Sequence, residues 1–165
     1  MCYGCRVAGA DPAEPGDAPG GVTPDHPPGP PGGLHHVEIW VPDLDRAATS
    51  WGWLLGELGW TAYQSWPAGR SWRHGPTYLV LEESPALSSR RHDRLAPGLN
   101  HLAFHAGPPA AVDRLVALAP GYGWSLLFAD RHPYAGGPQS YAGYLTDGSG
   151  YEVELCASSL PVPGG

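Results

Sequence analysis

What most constrains this chain is that it repeats itself. The segment LHHVEIWV at residues 34–41 returns in altered form as LNHLAFHA at residues 99–106, with histidine in the third place of both copies. Around each copy the local patterns follow the same order, at an offset of about 65 residues. A strand-like alternation comes first, then a helix-like stretch, then three further short strands.

In the first copy Val37, Ile39 and Val41 fall on one side of an extended strand, and His36, Glu38 and Trp40 on the other. Pro42 stops that strand. Asp43 is a side chain suited to capping a helix through DRAATSWGWLLGELG, where Ala47, Trp51, Leu54, Leu55 and Leu58 recur at helical spacing. Gly59 closes the helix. Strands are expected over residues 60–66, 71–74 and 77–82, separated by the turn signals PAG and HGP. The second half gives a strand over 99–106, a helix opened by Pro108 and Pro109, and strands near 124–128, 141–146 and 151–156.

With 165 residues and 42% hydrophobic content the chain has material for one core. Residues 1–33 are dominated by Pro and Gly and predict a disordered tail, with 34–157 as the folded domain and 158–165 as a flexible C-terminal tail. Cys2 and Cys5 have C-x-x-C spacing, but no second pair completes a zinc site, so the spacing is read as chance. Three cysteines make no even framework, and the expected setting is cytoplasmic with reduced thiols. No apolar run reaches the roughly 18 residues that cross a bilayer. A formal charge of −7 argues against nucleic acid and anionic membranes as partners, leaving a small molecule. The one basic run, Arg90 to Arg94, reads as a solvated loop.

Superposing the halves aligns His36 with His101, and matching the ends of LVLE (79–82) and EVEL (152–155) sets Glu82 against Glu154. His101 shares a strand face with Ala103 and His105, and Glu154 shares one with Glu152. Each of these residues is ordinary alone. Together they give a sheet face on which buried carboxylates need a counter-charge or a metal. Two imidazoles and two carboxylates suit a divalent transition ion. The neighbours His35 and Glu83 point through the opposite face.

The duplication, with HVEIWVPDLDRA, NHLAFH and the terminal DGSGYEVEL, resembles the vicinal oxygen chelate superfamily over residues 34 to about 157. That superfamily includes glyoxalase I, bleomycin-resistance proteins and extradiol dioxygenases. The resemblance implies an α+β fold: two tandem βαβββ modules forming a cupped mixed sheet with helices outside. It implies His36, Glu82, His101 and Glu154 as ligands of a divalent metal (Ni, Co, Zn, Fe or Mn), with metal-bound Glu82 or Glu154 as catalytic base. The implied activity is a lyase or isomerase acting on a small oxygenated substrate by proton transfer. Its alternatives are a bleomycin-resistance-type protein that sequesters a ligand, and a non-haem metal dioxygenase. Trp40, His105, His132 and Tyr141 are the candidate substrate contacts, the last two within the glycine-rich segment 131–144. Arg70 and Arg73 are available to an anionic group, with solvated loops as the default. A homodimer is left open.

Overall fold

The computed structural model describes residues 29–160; the expectations for residues 1–28, including Cys2 and Cys5, and for 161–165 lie outside them. The chain forms β1 (His36–Trp40), α1 (Leu44–Glu57), β2 (Thr61–Trp66), β3 (Gly69–His74) and β4 (Thr77–Glu82). It then repeats the order with β5 (Leu102–Gly107), α2 (Pro109–Leu118), β6 (Ser125–Leu127), β7 (Ala142–Thr146) and β8 (Glu152–Ala157). A short 3-10 turn at Ala119–Tyr122 follows α2.

Each half makes its own four-stranded mixed sheet, in the orders β1-β4-β3-β2 and β5-β8-β7-β6. The first and last strands of each module are parallel neighbours, and the remaining pairs are antiparallel. A parallel pair needs a crossover, and here the helix and two intervening strands provide it. The two sheets do not join into one; the cup expected from the sequence is present as two separate halves.

Local chemistry explains the element ends. The Asp43 side chain accepts from Arg46 N at 3.0 Å, as an N-cap should. A second carboxylate serves the same helix end, because Glu83 Oε2 accepts from Leu44 N at 2.9 Å. Glu83→Ala should therefore cost about 1 kcal/mol in urea unfolding, and Glu83→Gln, which keeps an acceptor, should cost less. At the other end Gly59 takes φ +81°, the left-handed region that glycine enters freely, and Trp60 N reaches Leu55 O at 2.9 Å.

One apolar cluster serves both modules. Ile39, Leu79 and Leu81 from the first sheet and Leu145, Val153 and Leu155 from the second join Trp51, Leu54, Leu55, Val112 and Leu115 from the helices. At its centre Trp51 and Trp124 meet edge to face with ring centroids 5.1 Å apart. Both indoles find acceptors: Trp51 Nε1 donates to Asp147 Oδ2 at 3.0 Å, and Trp124 Nε1 to the Ser50 carbonyl at 3.1 Å. Asp147 Oδ1 accepts from Ser149 N and Tyr151 N, so this buried carboxylate knits the β7–β8 turn to α1. Alternation along the strands then turns the His- and Glu-bearing faces away from the core.

The basic run is not simply solvated. Arg94 Nε lies 3.0 Å from the buried Oε2 of Glu152, the His92 ring stacks on Tyr151 at 4.4 Å, and Arg90 donates to Pro42 O at 3.0 Å. Tertiary packing recruits these side chains, and a list of charges does not show it.

Candidate metal and substrate face

The strand register decides which residues of the two halves are equivalent. In β5–β8, Ala103 stands opposite Glu154; in β1–β4 the matching residue Glu38 stands opposite Val80. Glu82 stands opposite Trp40, two residues further along. Glu82 is thus on the expected face, but the counterpart of Glu154 is Val80, and the equivalence drawn from the sequence is corrected by one strand repeat. The ladder keeps His36 away from Glu82: His36 lies opposite Tyr78 and stacks on its ring, with centroids 4.9 Å apart and an interplanar angle of 7°.

The second sheet does assemble its pair. His101, just before β5, places Nε2 3.2 Å from Glu154 Oε2. On its other side His101 Nδ1 is 2.8 Å from Asn100 Oδ1. Asn100 Nδ2 donates to the Arg94 carbonyl at 2.9 Å, which fixes the amide so that Oδ1 is an acceptor. The Nδ1 of His101 must then carry the proton, and a neutral ring presents a lone pair at Nε2 toward the carboxylate. Two acceptors facing one another at hydrogen-bond distance call for a cation between them, either a proton or a metal. A histidine whose far nitrogen donates to an oxygen, leaving the near one bare, is the arrangement that orients metal ligands.

Tyr144, opposite Glu154 on β7, donates from its hydroxyl to Glu154 Oε1 at 2.7 Å. Burial, then this bond and the carboxylate charge, push its pKa up, so the phenol stays a donor. Tyr144 thereby occupies one carboxylate oxygen and leaves the other for His101 or an ion. Cys156 shares the face, and burial followed by the Glu154 charge pushes its thiol up to about 11. Alkylation of Cys156 by iodoacetamide should be slow at pH 8 and accelerate only as the pH climbs toward that value.

On the first sheet, Glu38, Trp40 and Glu82 are neighbours. Trp40 Nε1 donates to Glu38 Oε1 at 2.6 Å, and the Glu82 pKa is raised, by burial first and by the Glu38 charge second. His105 stands opposite Cys156 on the Glu154 face and is exposed. The other two expected substrate contacts are elsewhere. Tyr141 donates to both carboxylate oxygens of Asp113 on α2, at 2.8 and 3.0 Å, and His132 Nδ1 bonds the Ala142 carbonyl at 3.1 Å. Tyr141 has the parity of buried Leu145 and looks toward the helix, whereas Tyr144 has the parity of the Glu154 face. Alternation along β7 was the signal that would have preferred Tyr144.

Among the described residues no three of His, Cys, Asp and Glu gather closely enough to hold an ion. The donor chemistry at His101 and Glu154 fits a metal, but one chain brings two ligands together where catalytic sites commonly use three.

The model of the Glyoxalase/Bleomycin resistance protein/Dioxygenase superfamily matches residues 35–144. YqjT, an uncharacterized protein of Bacillus subtilis strain 168, is 42% identical over 128 residues, which span 76% of this chain and 99% of that one. A candidate glyoxalase from Bacillus halodurans superposes with a TM-score of 0.73 at 45% identity, covering 77% of this chain and 96% of its own. A glyoxalase/bleomycin resistance protein from Albidiferax ferrireducens T118 shares the fold, with a TM-score of 0.59 at 19% identity over 75% of this chain and 97% of its own. The duplicated βαβββ modules and these matches together establish that the chain belongs to the glyoxalase/bleomycin resistance protein/dioxygenase superfamily.

Proposed function

We propose that this protein is a metal-dependent lyase or isomerase of the glyoxalase-like kind, moving a proton on a small oxygenated substrate. The observation that supports the reading is the His101–Glu154 pair, whose Nε2 and Oε2 lie 3.2 Å apart, with Asn100 Oδ1 beside the far ring nitrogen at 2.8 Å. His101 and Glu154 would hold a divalent transition ion (Ni, Co, Zn, Fe or Mn), and His36 of a second copy would add a third ligand. A homodimer supplies this because each chain carries two different half-faces, and a two-fold pairing of one with the other closes two sites at once. The ion, when bound, supplies Lewis-acid polarisation of substrate oxygens. Tyr144 orients Glu154, while Trp40 and His105 offer contacts to the substrate. Glu82 is the general base: its raised pKa makes its carboxylate a better proton acceptor than an ordinary one. The proton it takes from a substrate carbon is returned at the neighbouring carbon.

The test is to incubate the full protein with small 2-hydroxy carbonyl compounds in D₂O under nitrogen and to follow the substrates by NMR. Deuterium should enter a substrate carbon, and Glu82→Gln should slow its entry by about 10²–10⁴-fold while leaving the fold intact. One observation favours a second reading. With Val80 in the place equivalent to Glu154, the remaining set of two histidines and one carboxylate is that of non-haem iron oxygenases. A strict O₂ requirement, with oxygen atoms in the product, would replace proton transfer by that chemistry.

A further inference from the structure

Beside the His101–Glu154 pair, the structure gathers two arginines on one aromatic ring. The Arg94 guanidinium carbon is 5.6 Å from the Phe128 ring centroid, and that of Arg131 is 4.7 Å from it. Phe128 itself has φ +54°, a region that bulky residues seldom enter. It is kept there by a turn in which its carbonyl accepts from Arg131 N at 2.8 Å and His132 N at 2.9 Å. The ring meets Tyr144 edge to face with centroids 5.6 Å apart, and Tyr144 is the donor to Glu154. The turn therefore sets the Phe128 ring, with both arginines on it, against Tyr144 on the face that carries the proposed ligands.

The charges are incompletely matched. Glu152 is 3% exposed and lies on the same face as Glu154, one strand repeat of about 7 Å away. Arg94 Nε approaches Glu152 Oε2 to 3.0 Å, yet that oxygen has no hydrogen-bond partner among the described residues. Glu152 pairs with the Arg94 side chain through Nε alone, and the two Nη groups have no partner among the described residues. Arg131 is more than half exposed, and its acid, Asp130, is only at the 4.0 Å limit. Two guanidinium groups that share one ring make a local positive patch in a chain of net charge −7, and such a patch suits an anion.

We propose that Arg94 and Arg131, seated on Phe128, form a subsite for an oxyanion of the substrate, a carboxylate or a phosphate. The subsite takes from the reading above only its place on the Glu154 face, since the anion is held by arginine with or without a metal.

The test uses the full chain stripped with EDTA and titrated calorimetrically with pyruvate, with inorganic phosphate and with methyl pyruvate as the uncharged control. Pyruvate or phosphate should bind about tenfold more tightly than the ester, and the preferred one identifies the oxyanion. Arg131→Met should remove about that factor. So should Arg94→Met combined with Glu152→Gln, a pairing that leaves no uncompensated buried carboxylate to unfold the sheet. Should the double variant not fold, Arg131→Met alone decides. Anions that bind no better than the ester, or that bind unchanged in the variants that fold, would overturn the subsite. So would anion binding that arises only after metal is restored. Anion binding retained by protein that takes up no metal would leave the subsite standing while the metal reading fails.

Discussion

Replacing Trp51 with alanine should destabilise the protein by about 3–5 kcal/mol, the range for truncating a fully buried large aromatic. Trp51 is 0% exposed and packs against Trp124 at the point where the two modules share a core. Its indole also supplies the hydrogen bond to Asp147 Oδ2, so truncation strands a carboxylate oxygen in the interior as well as opening a cavity. Trp51→Phe separates the two effects. It keeps most of the apolar volume and loses the donor, and it should cost about 1–3 kcal/mol. Urea unfolding should show a lower midpoint with an unchanged slope in both variants. A loss under 1 kcal/mol for Trp51→Ala would mean that the modules do not depend on this contact.

The second large effect is on metal affinity. His101→Ala should remove one ligand and abolish measurable binding of a divalent transition ion. Asn100→Ala, which touches no ion, should weaken binding by about 10–100-fold, the usual consequence of losing the partner that orients a ligating imidazole. Asn100→Asp keeps an acceptor for His101 Nδ1 and should restore most of the loss. A structural role for Asn100 would instead lower thermal stability equally in both substitutions and leave affinity per folded molecule unchanged. Competition against a chromogenic chelator measures all three variants on one scale.

Much of the architecture is legible in the sequence because its signals are local. The alternation of Val37, Ile39 and Val41, the helical recurrence of Trp51, Leu54, Leu55 and Leu58, the Asp43 cap and the Gly59 stop each act within a few residues, and each appears where the pattern places it. The face of a strand residue is equally local. Glu83, read as pointing away from Glu82, indeed turns to the N-terminus of α1. Register is another matter. A slip of one residue flips a strand's faces, but a slip of two preserves them, so alternation cannot distinguish Glu82 from Val80 as the counterpart of Glu154. Only the backbone ladder separates them.

The same limit explains the remaining differences. Arg94 belongs to a charged run that composition alone assigns to solvent, and its pairing with Glu152 spans 58 residues of sequence and depends on how a loop folds back over β8. Tyr141 and His132 were drawn to the site by the glycines around them, which mark a loop but not a direction. The strand phase of Tyr144, three residues after Tyr141, carries the directional information, and it leads to Glu154.

The central claim is that His101 and Glu154 hold a cation that is a metal. The most direct measurement is elemental analysis of the 165-residue chain, expressed with Ni, Co, Zn, Fe and Mn supplied and purified without chelators, beside His101→Ala prepared identically. The account predicts about one divalent transition ion per chain in the wild type and a trace in the variant. Wild-type protein that emerges metal-free under every supply, or a variant that retains the same occupancy, would contradict it and assign the 3.2 Å contact to a shared proton.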